Sequence, residues 1–199
     1  MNQFILLAEP LWVNLLILIP VVVFFLFRSN KLLITRKQLL FAAIFGMAFG
    51  FVESSIVIYL RAALGFLPGY MGSLSDVVQQ SGNNYQQVEL LNDLPKSLFT
   101  VEFFREAATI VMLITIALLS AKKFRERCAV FLWVFSFWDI FYYVGLWLTT
   151  RWPSSLTTPD VLFLIPVPWL SQVWFPCLVS ILTIVAIAVN IKSNPSFSE

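Results

Sequence analysis

The chain has 199 residues, of which 59% are hydrophobic, 16% aromatic and 12% charged, with a formal net charge of +2. Soluble domains carry about 25% charged residues, so this balance excludes an ordinary soluble enzyme and implies one all-α integral membrane domain over residues 1–199. Histidine is absent, which excludes His-ligated haem, His-ligated zinc and any Ser-His or Cys-His catalytic pair.

Met1 to Pro10 carries Glu9 and no basic residue, and no small-residue cleavage pattern follows the first apolar run. That run is therefore expected to stay in the protein as a transmembrane helix rather than leave as a signal peptide. Span one is predicted at about 11–27, with Asn14 as its only strongly polar residue and a kink at Pro20. Arg28, Lys31, Arg36 and Lys37 form a basic connector to span two, at about 38–60.

A long connector, 61–97, follows. It opens on a Leu67-Pro68-Gly69-Tyr70 turn, and Ser73 and Asn84 are placed as helix N-caps. Tyr85, Val88 and Leu91 recur on one helical face, which suggests an amphipathic helix on the membrane surface. Span three is predicted at about 98–120, and Lys122, Lys123, Arg125 and Arg127 form a second basic connector. Span four is predicted at about 129–149 and span five at about 172–191.

Between the last two spans, 150–171 makes a second long connector. Thr158-Pro159-Asp160 reads as a helix start with proline at the first helical position. The apolar piece beyond it, stopped by Pro166 and Pro168, predicts a short re-entrant or lid helix near 159–165. Trp152, Trp169 and Trp174 fit an interfacial aromatic belt. Cys128 and Cys177 form no CxxC motif and read as small apolar residues.

Lysine and arginine in short loops mark the cytoplasmic side. Nine of the thirteen lie after spans one, three and five, which places the N-terminus outside and the C-terminus inside. The same arithmetic explains the basic residues as topological markers and excludes nucleic-acid binding. A bacterial cytoplasmic membrane is the default location for so short and loop-poor a polytopic chain.

Against this apolar background, three spans carry polar stripes. Ala42, Gly46, Gly50 and Ser54 recur at steps of four on span two, a small-residue stripe that admits a neighbouring helix. Glu53 lies beside that stripe, toward the outer end of the helix, and Arg61 follows at the exit. Span three opens with Glu102, Arg105, Glu106 and Thr109 on one face. In span four, Ser136, Asp139, Tyr142 and Tyr143 share a face. Ionisable residues within membrane segments mark functional sites by default, so Glu53, Glu102, Glu106 and Asp139 are the candidate acid–base groups around Arg105. Arg61, Tyr142, Tyr143, Trp152, Asp160 and Trp169 are candidate substrate-binding residues.

If all four acids were ionised, Arg105 would leave three negative charges uncompensated. Buried carboxylates in that state take up protons or a cation. An all-oxygen ligand set would select Mg²⁺, Ca²⁺ or Mn²⁺. Three functions fit these residues. The first is a site that binds or modifies a lipid-soluble substrate at the outer leaflet. The second is a proton- or cation-coupled carrier component, and the third an accessory subunit of a larger membrane complex. Either of the last two could involve a homo-oligomer or further subunits. Ser54 and Ser55 are poor nucleophiles with no histidine base in the chain.

Overall fold

Proline and the basic connectors decide where the helices of this chain break. The computed structural model describes residues 4–29, 31–63 and 96–191, with side chains given for all of these except 60–63 and 96–98. The expected turn at Leu67, the caps at Ser73 and Asn84, the surface helix through Tyr85, Val88 and Leu91, and the side chain of Arg61 lie outside that description.

Among the described residues, a 3₁₀ segment, Leu11–Ile17, runs into helix α1, Leu18–Arg28. The change of helix type falls just before Pro20. Having no N–H to give to residue 16, Pro20 is tolerated only in the first turn of an α-helix, and it occupies that turn here. The expected mid-helix kink is thus a change of winding. Asn14 serves structure: its side chain accepts from the Ala8 N–H at 2.9 Å and donates to the carbonyls of Ala8 and Leu11, both at 2.9 Å.

Helix α2 spans Arg36–Ala63, α3 spans Lys96–Ser120 and α4 spans Phe124–Thr150. With the 3₁₀–α1 run, these give four helices long and apolar enough to cross a membrane. Their outward faces stay apolar: Leu119, Phe124 and Leu11 are 80%, 79% and 70% exposed. Such surfaces would drive aggregation in water and suit hydrocarbon instead. The last helix, α5, Trp174–Ala188, is equally apolar but has only 15 residues.

The two basic connectors meet at one end of the bundle. Arg125 donates to the Leu26 carbonyl at 2.8 Å, Gln38 to the Ser120 carbonyl at 3.2 Å, and Lys31 to the Val189 carbonyl at 2.7 Å. From that end, Glu53 lies 15 residues along α2 from Gln38. Arg105 lies 15 residues back along α3 from Ser120, and Asp139 lies 15 residues along α4 from Phe124. At 1.5 Å per residue, all three sit at about the same height, roughly 22 Å from the basic end.

Helices α2 and α4 approach unusually closely, and the small-residue stripe is the reason. A Cβ on Gly50 would fall 2.6 Å from the Trp138 carbonyl oxygen, and one on Gly46 would fall 2.7 Å from that of Val134. Gly145 answers from the α4 side, where a Cβ would collide with the Ser54 Oγ. Ser54 and Ser55 both donate their hydroxyls to the Phe51 carbonyl, at 2.8 and 2.9 Å, so these groups are spent on their own helix.

At the opposite end from the basic connectors, the expected short helix near 159–165 is absent. Pro159–Phe163 is strand β1, paired antiparallel with β2, Trp169–Gln172. The fold is therefore a helical bundle carrying a two-stranded hairpin, rather than an all-α one. Pro159 opens the strand, where its missing N–H breaks no ladder bond. Val161 and Phe163 are good strand formers, and Pro166 and Pro168 sit in the connection. Glu9 adds a further pairing on β2: its N–H donates to the Leu170 carbonyl at 2.8 Å and the Leu170 N–H returns the bond at 2.7 Å. Extended backbone near a membrane must be satisfied in this way.

Candidate functional site

Arg105 holds the polar groups of two helices together. Its Nε donates to Glu102 Oε2 at 2.7 Å, one turn away on α3, and its Nη1 donates to Glu53 Oε1 on α2. Both carboxylates are buried. Glu102 is an intrahelical partner that comes with the helix. Glu53 comes from a different helix and can reach Arg105 only because both residues lie at one height. Thr109, next on the same face of α3, donates its hydroxyl to the Arg105 carbonyl at 3.1 Å.

Glu106 turns toward the hairpin. Both of its carboxyl oxygens accept from the Leu164 N–H, at 3.0 and 2.9 Å. Leu164 follows β1 directly, so this acid ties the hairpin to α3. Asp139 on α4 accepts from the Ser180 hydroxyl of α5 at 2.8 Å. Tyr143, one turn further along α4, donates its phenol to Asp160 of β1 at 3.0 Å. The bonds of Asp139 and Tyr143 each join two different elements, and that of Glu106 joins α3 to the residue after β1.

Glu53, Arg105, Glu106 and Asp139 form the polar side of a cavity of about 110 Å³. Trp138, Tyr142, Tyr143 and Phe135 from α4 supply aromatic walls, joined by Phe163 and Trp169 from the hairpin. A water molecule needs about 10–15 Å³ of such space, so the cavity has room for several waters or a small molecular group.

Of the residues singled out from sequence, Glu53, Arg105, Glu106, Asp139, Tyr142, Tyr143 and Trp169 share this lining. Glu102 stands behind Arg105 and does not line it. Asp160 is buried outside the lining and accepts from Tyr143, which is part of it. Trp152 is 1% exposed and packs behind Tyr143, with ring centroids 6.4 Å apart. It belongs to the core and not to an interfacial belt. Among the described residues, no group of three or more acidic, thiol or imidazole side chains is placed to hold a metal ion, so the expected Mg²⁺, Ca²⁺ or Mn²⁺ finds no ligand set there.

No family model, no curated protein and no solved structure matches this chain. Geometry alone carries the functional reading.

Sequence reasoning passed over Ser180 and Trp138. Ser180 was detectable as one of two hydroxyl residues, with Thr183, in the apolar run of α5. Trp138 stood beside Asp139 and was hidden by the many other aromatics. The Leu164 N–H, a backbone group, left no signal in the sequence at all.

The hairpin anchor is directly testable. Glu106→Ala removes both acceptors of the Leu164 N–H, whereas Glu106→Gln keeps one. Hydrogen exchange at the Leu164 amide should accelerate by roughly tenfold or more in the alanine variant, since a bond to a charged group contributes about 1.5–3 kcal/mol. The glutamine variant should show a smaller change. Unaltered exchange in Glu106→Ala would remove the anchor from the account.

Proposed function

We propose that this protein crosses a bacterial cytoplasmic membrane five times, N-terminus outside and C-terminus inside. In its outer half it binds or modifies a lipid-soluble substrate in the cavity beside the hairpin. Helix α5 is the fifth crossing in this reading. Its 15 residues rise about 22 Å, from the hairpin to the basic end, where the Leu32 N–H donates to the Asn190 carbonyl at 2.9 Å. The basic connectors at that end set the orientation.

The observation that carries the reading is that the buried ionisable groups stop partway. Beyond Asp139 and Ser180, toward the basic end, the bundle is filled by Leu113, Ala117, Val130, Val134 and Ile187, each 3% exposed or less. A proton- or cation-coupled carrier needs titratable or ion-binding groups along its whole path. The buried polar side chains of this stretch are Ser136, Thr183 and Asn190, none of them ionisable, with Thr183 and Asn190 bonded to backbone carbonyls one turn back. A one-ended chamber with carboxyl groups and aromatic walls suits the headgroup of a ligand whose tail stays in lipid. The carboxyl groups are then the acid–base candidates, led by Glu106 and Asp139, which face the cavity and are not bonded to Arg105.

The test combines access and occupancy. With Cys128 and Cys177 replaced by alanine, Leu156→Cys reports the hairpin end and Lys123→Cys the basic end; both positions are exposed. A membrane-impermeant maleimide added to intact cells should label the first and spare the second until the membrane is opened. Native mass spectrometry of the purified protein should find a co-purified lipid-soluble species that is depleted in Glu106→Gln and Asp139→Asn. Reversed labelling sinks the orientation, and an unchanged set of bound species sinks the cavity as binding site.

A further inference from the structure

Between Arg28 and Lys37 and between Lys122 and Arg127, the two basic connectors carry eight lysines and arginines against one acid, Glu126. A topological marker needs only to lie in a loop. Three of these cations are also gathered into one place. Lys31 from the first connector joins Lys123 and Arg125 from the second in the lining of a groove of about 630 Å³ at the basic end of the bundle. That volume falls in the range of roughly 300–1,000 Å³ found for ligand sites. The lining carries a net charge of +2, three cations less the one carboxylate of Glu126. Two of the cations are held in position by the protein. Lys31 Nζ donates to the Val189 carbonyl at 2.7 Å, and Arg125 Nη2 donates to the Leu26 carbonyl at 2.8 Å with its guanidinium 5.3 Å from the Phe27 ring centroid. Carbonyls are neutral, so these bonds place the charges without cancelling them.

From this convergence we infer that the groove takes the phosphodiester headgroup of an anionic phospholipid from the leaflet at that end. The net positive charge selects an anionic headgroup over a neutral or cationic one, since each lysine or arginine near a membrane surface attracts anionic lipid. Side chains already held in place also lose less freedom on binding. The apolar rim decides between a lipid and a soluble anion. Phe124 and Leu33 line the same groove and are 79% and 55% exposed, and Leu26, whose carbonyl holds Arg125, is 60% exposed. A soluble phosphate has nothing to place against such a rim, whereas acyl chains cover it while the headgroup meets the lysines. Ser29, also in the lining, brings a hydroxyl that can donate to a phosphate oxygen. The groove lies at the far end of the bundle from the cavity beside the hairpin, so the two sites stand or fall separately.

The test is native mass spectrometry of the full chain in detergent, titrated with dioleoyl phosphatidylglycerol, with dioleoyl phosphatidylcholine, and with the first of these in competition with glycerol 3-phosphate. Phosphatidylglycerol should bind saturably and about tenfold or more tighter than phosphatidylcholine, which has the same acyl chains and no net charge. In the double variant Lys31→Gln, Lys123→Gln its affinity should fall about tenfold or more. The double variant Arg36→Gln, Lys37→Gln removes as much charge outside the groove and should lose less than about threefold, because screening weakens distant charges. Glu126→Gln should tighten binding by about threefold, a gain that misfolding does not produce. Should the variant lacking Lys31 fail to fold, Lys123→Gln alone, with an expected loss of about threefold, carries the comparison with Glu126→Gln. Equal losses in the two double variants overturn the groove as a site, since diffuse surface charge would then attract the lipid. Equal affinity for phosphatidylcholine overturns the anionic class. Full displacement by glycerol 3-phosphate at matched concentration overturns the lipid as the source of the phosphate. Absence of saturable binding overturns the inference outright.

Discussion

Arg105→Met should destabilise the protein by about 3–5 kcal/mol, the cost of leaving buried charge without its partner. The substitution keeps most of the side-chain volume, so packing contributes little to the loss. Two carboxylates are abandoned at once, Glu53 from α2 and Glu102 from α3. The triple variant Glu53→Gln, Glu102→Gln, Arg105→Met should recover most of that stability, because a buried ionic group replaced throughout by neutral side chains is often tolerated. Arg105→Lys should fall between, since an ammonium lacks the planar fork that reaches both acids. Denaturant unfolding in mixed micelles measures all three. An Arg105→Met protein as stable as the unmodified chain would mean that these acids have other partners.

Gly50→Ala is expected to be the most damaging single-methyl change in the bundle. The added carbon falls 2.6 Å from the Trp138 carbonyl oxygen, 2.9 Å from the Tyr142 nitrogen and 3.0 Å from the Phe141 carbonyl carbon. All three are backbone atoms and cannot rotate aside, so α2 and α4 must separate. Overpacking of this kind costs about 1–3 kcal/mol. It should also reshape the cavity, because Trp138 and Tyr142 both line it. Ala48→Leu, on an exposed face of the same helix, should change stability by less than about 0.5 kcal/mol. The melting temperatures of the two variants give the comparison. Equal behaviour would show that the helices are not in contact at Gly50.

The helical part of the architecture was open to reading because its signals are local. Runs of apolar residues mark helices long enough to cross a membrane, and steps of four in Ala42, Gly46, Gly50 and Ser54 mark a contact face. The common height of Glu53, Arg105 and Asp139 follows from counting inward from the basic connectors. The hairpin was not open to reading in the same way. A five-residue apolar strand and a short buried helix have the same composition, and Pro159 suits the first position of either. What distinguishes them is pairing with β2, a stretch that sequence alone assigned partly to the start of span five. Pairings between distant residues, such as Tyr143 with Asp160 and Glu106 with the Leu164 N–H, depend on that hairpin and were hidden with it. Trp152 misled for a related reason: tryptophan beside a span end suits the interface, and only the packing of Tyr143, Leu146 and Val173 around it makes it core.

Polar groups from separate helices meet inside the bundle at Arg105. A double-mutant cycle on Glu53→Gln and Arg105→Gln tests it most directly, because these residues lie 52 positions apart on two helices. If they touch, their effects on unfolding free energy are non-additive, with a coupling of roughly 1 kcal/mol or more. Effects that sum to within about 0.3–0.5 kcal/mol, as for independent sites, would contradict the account.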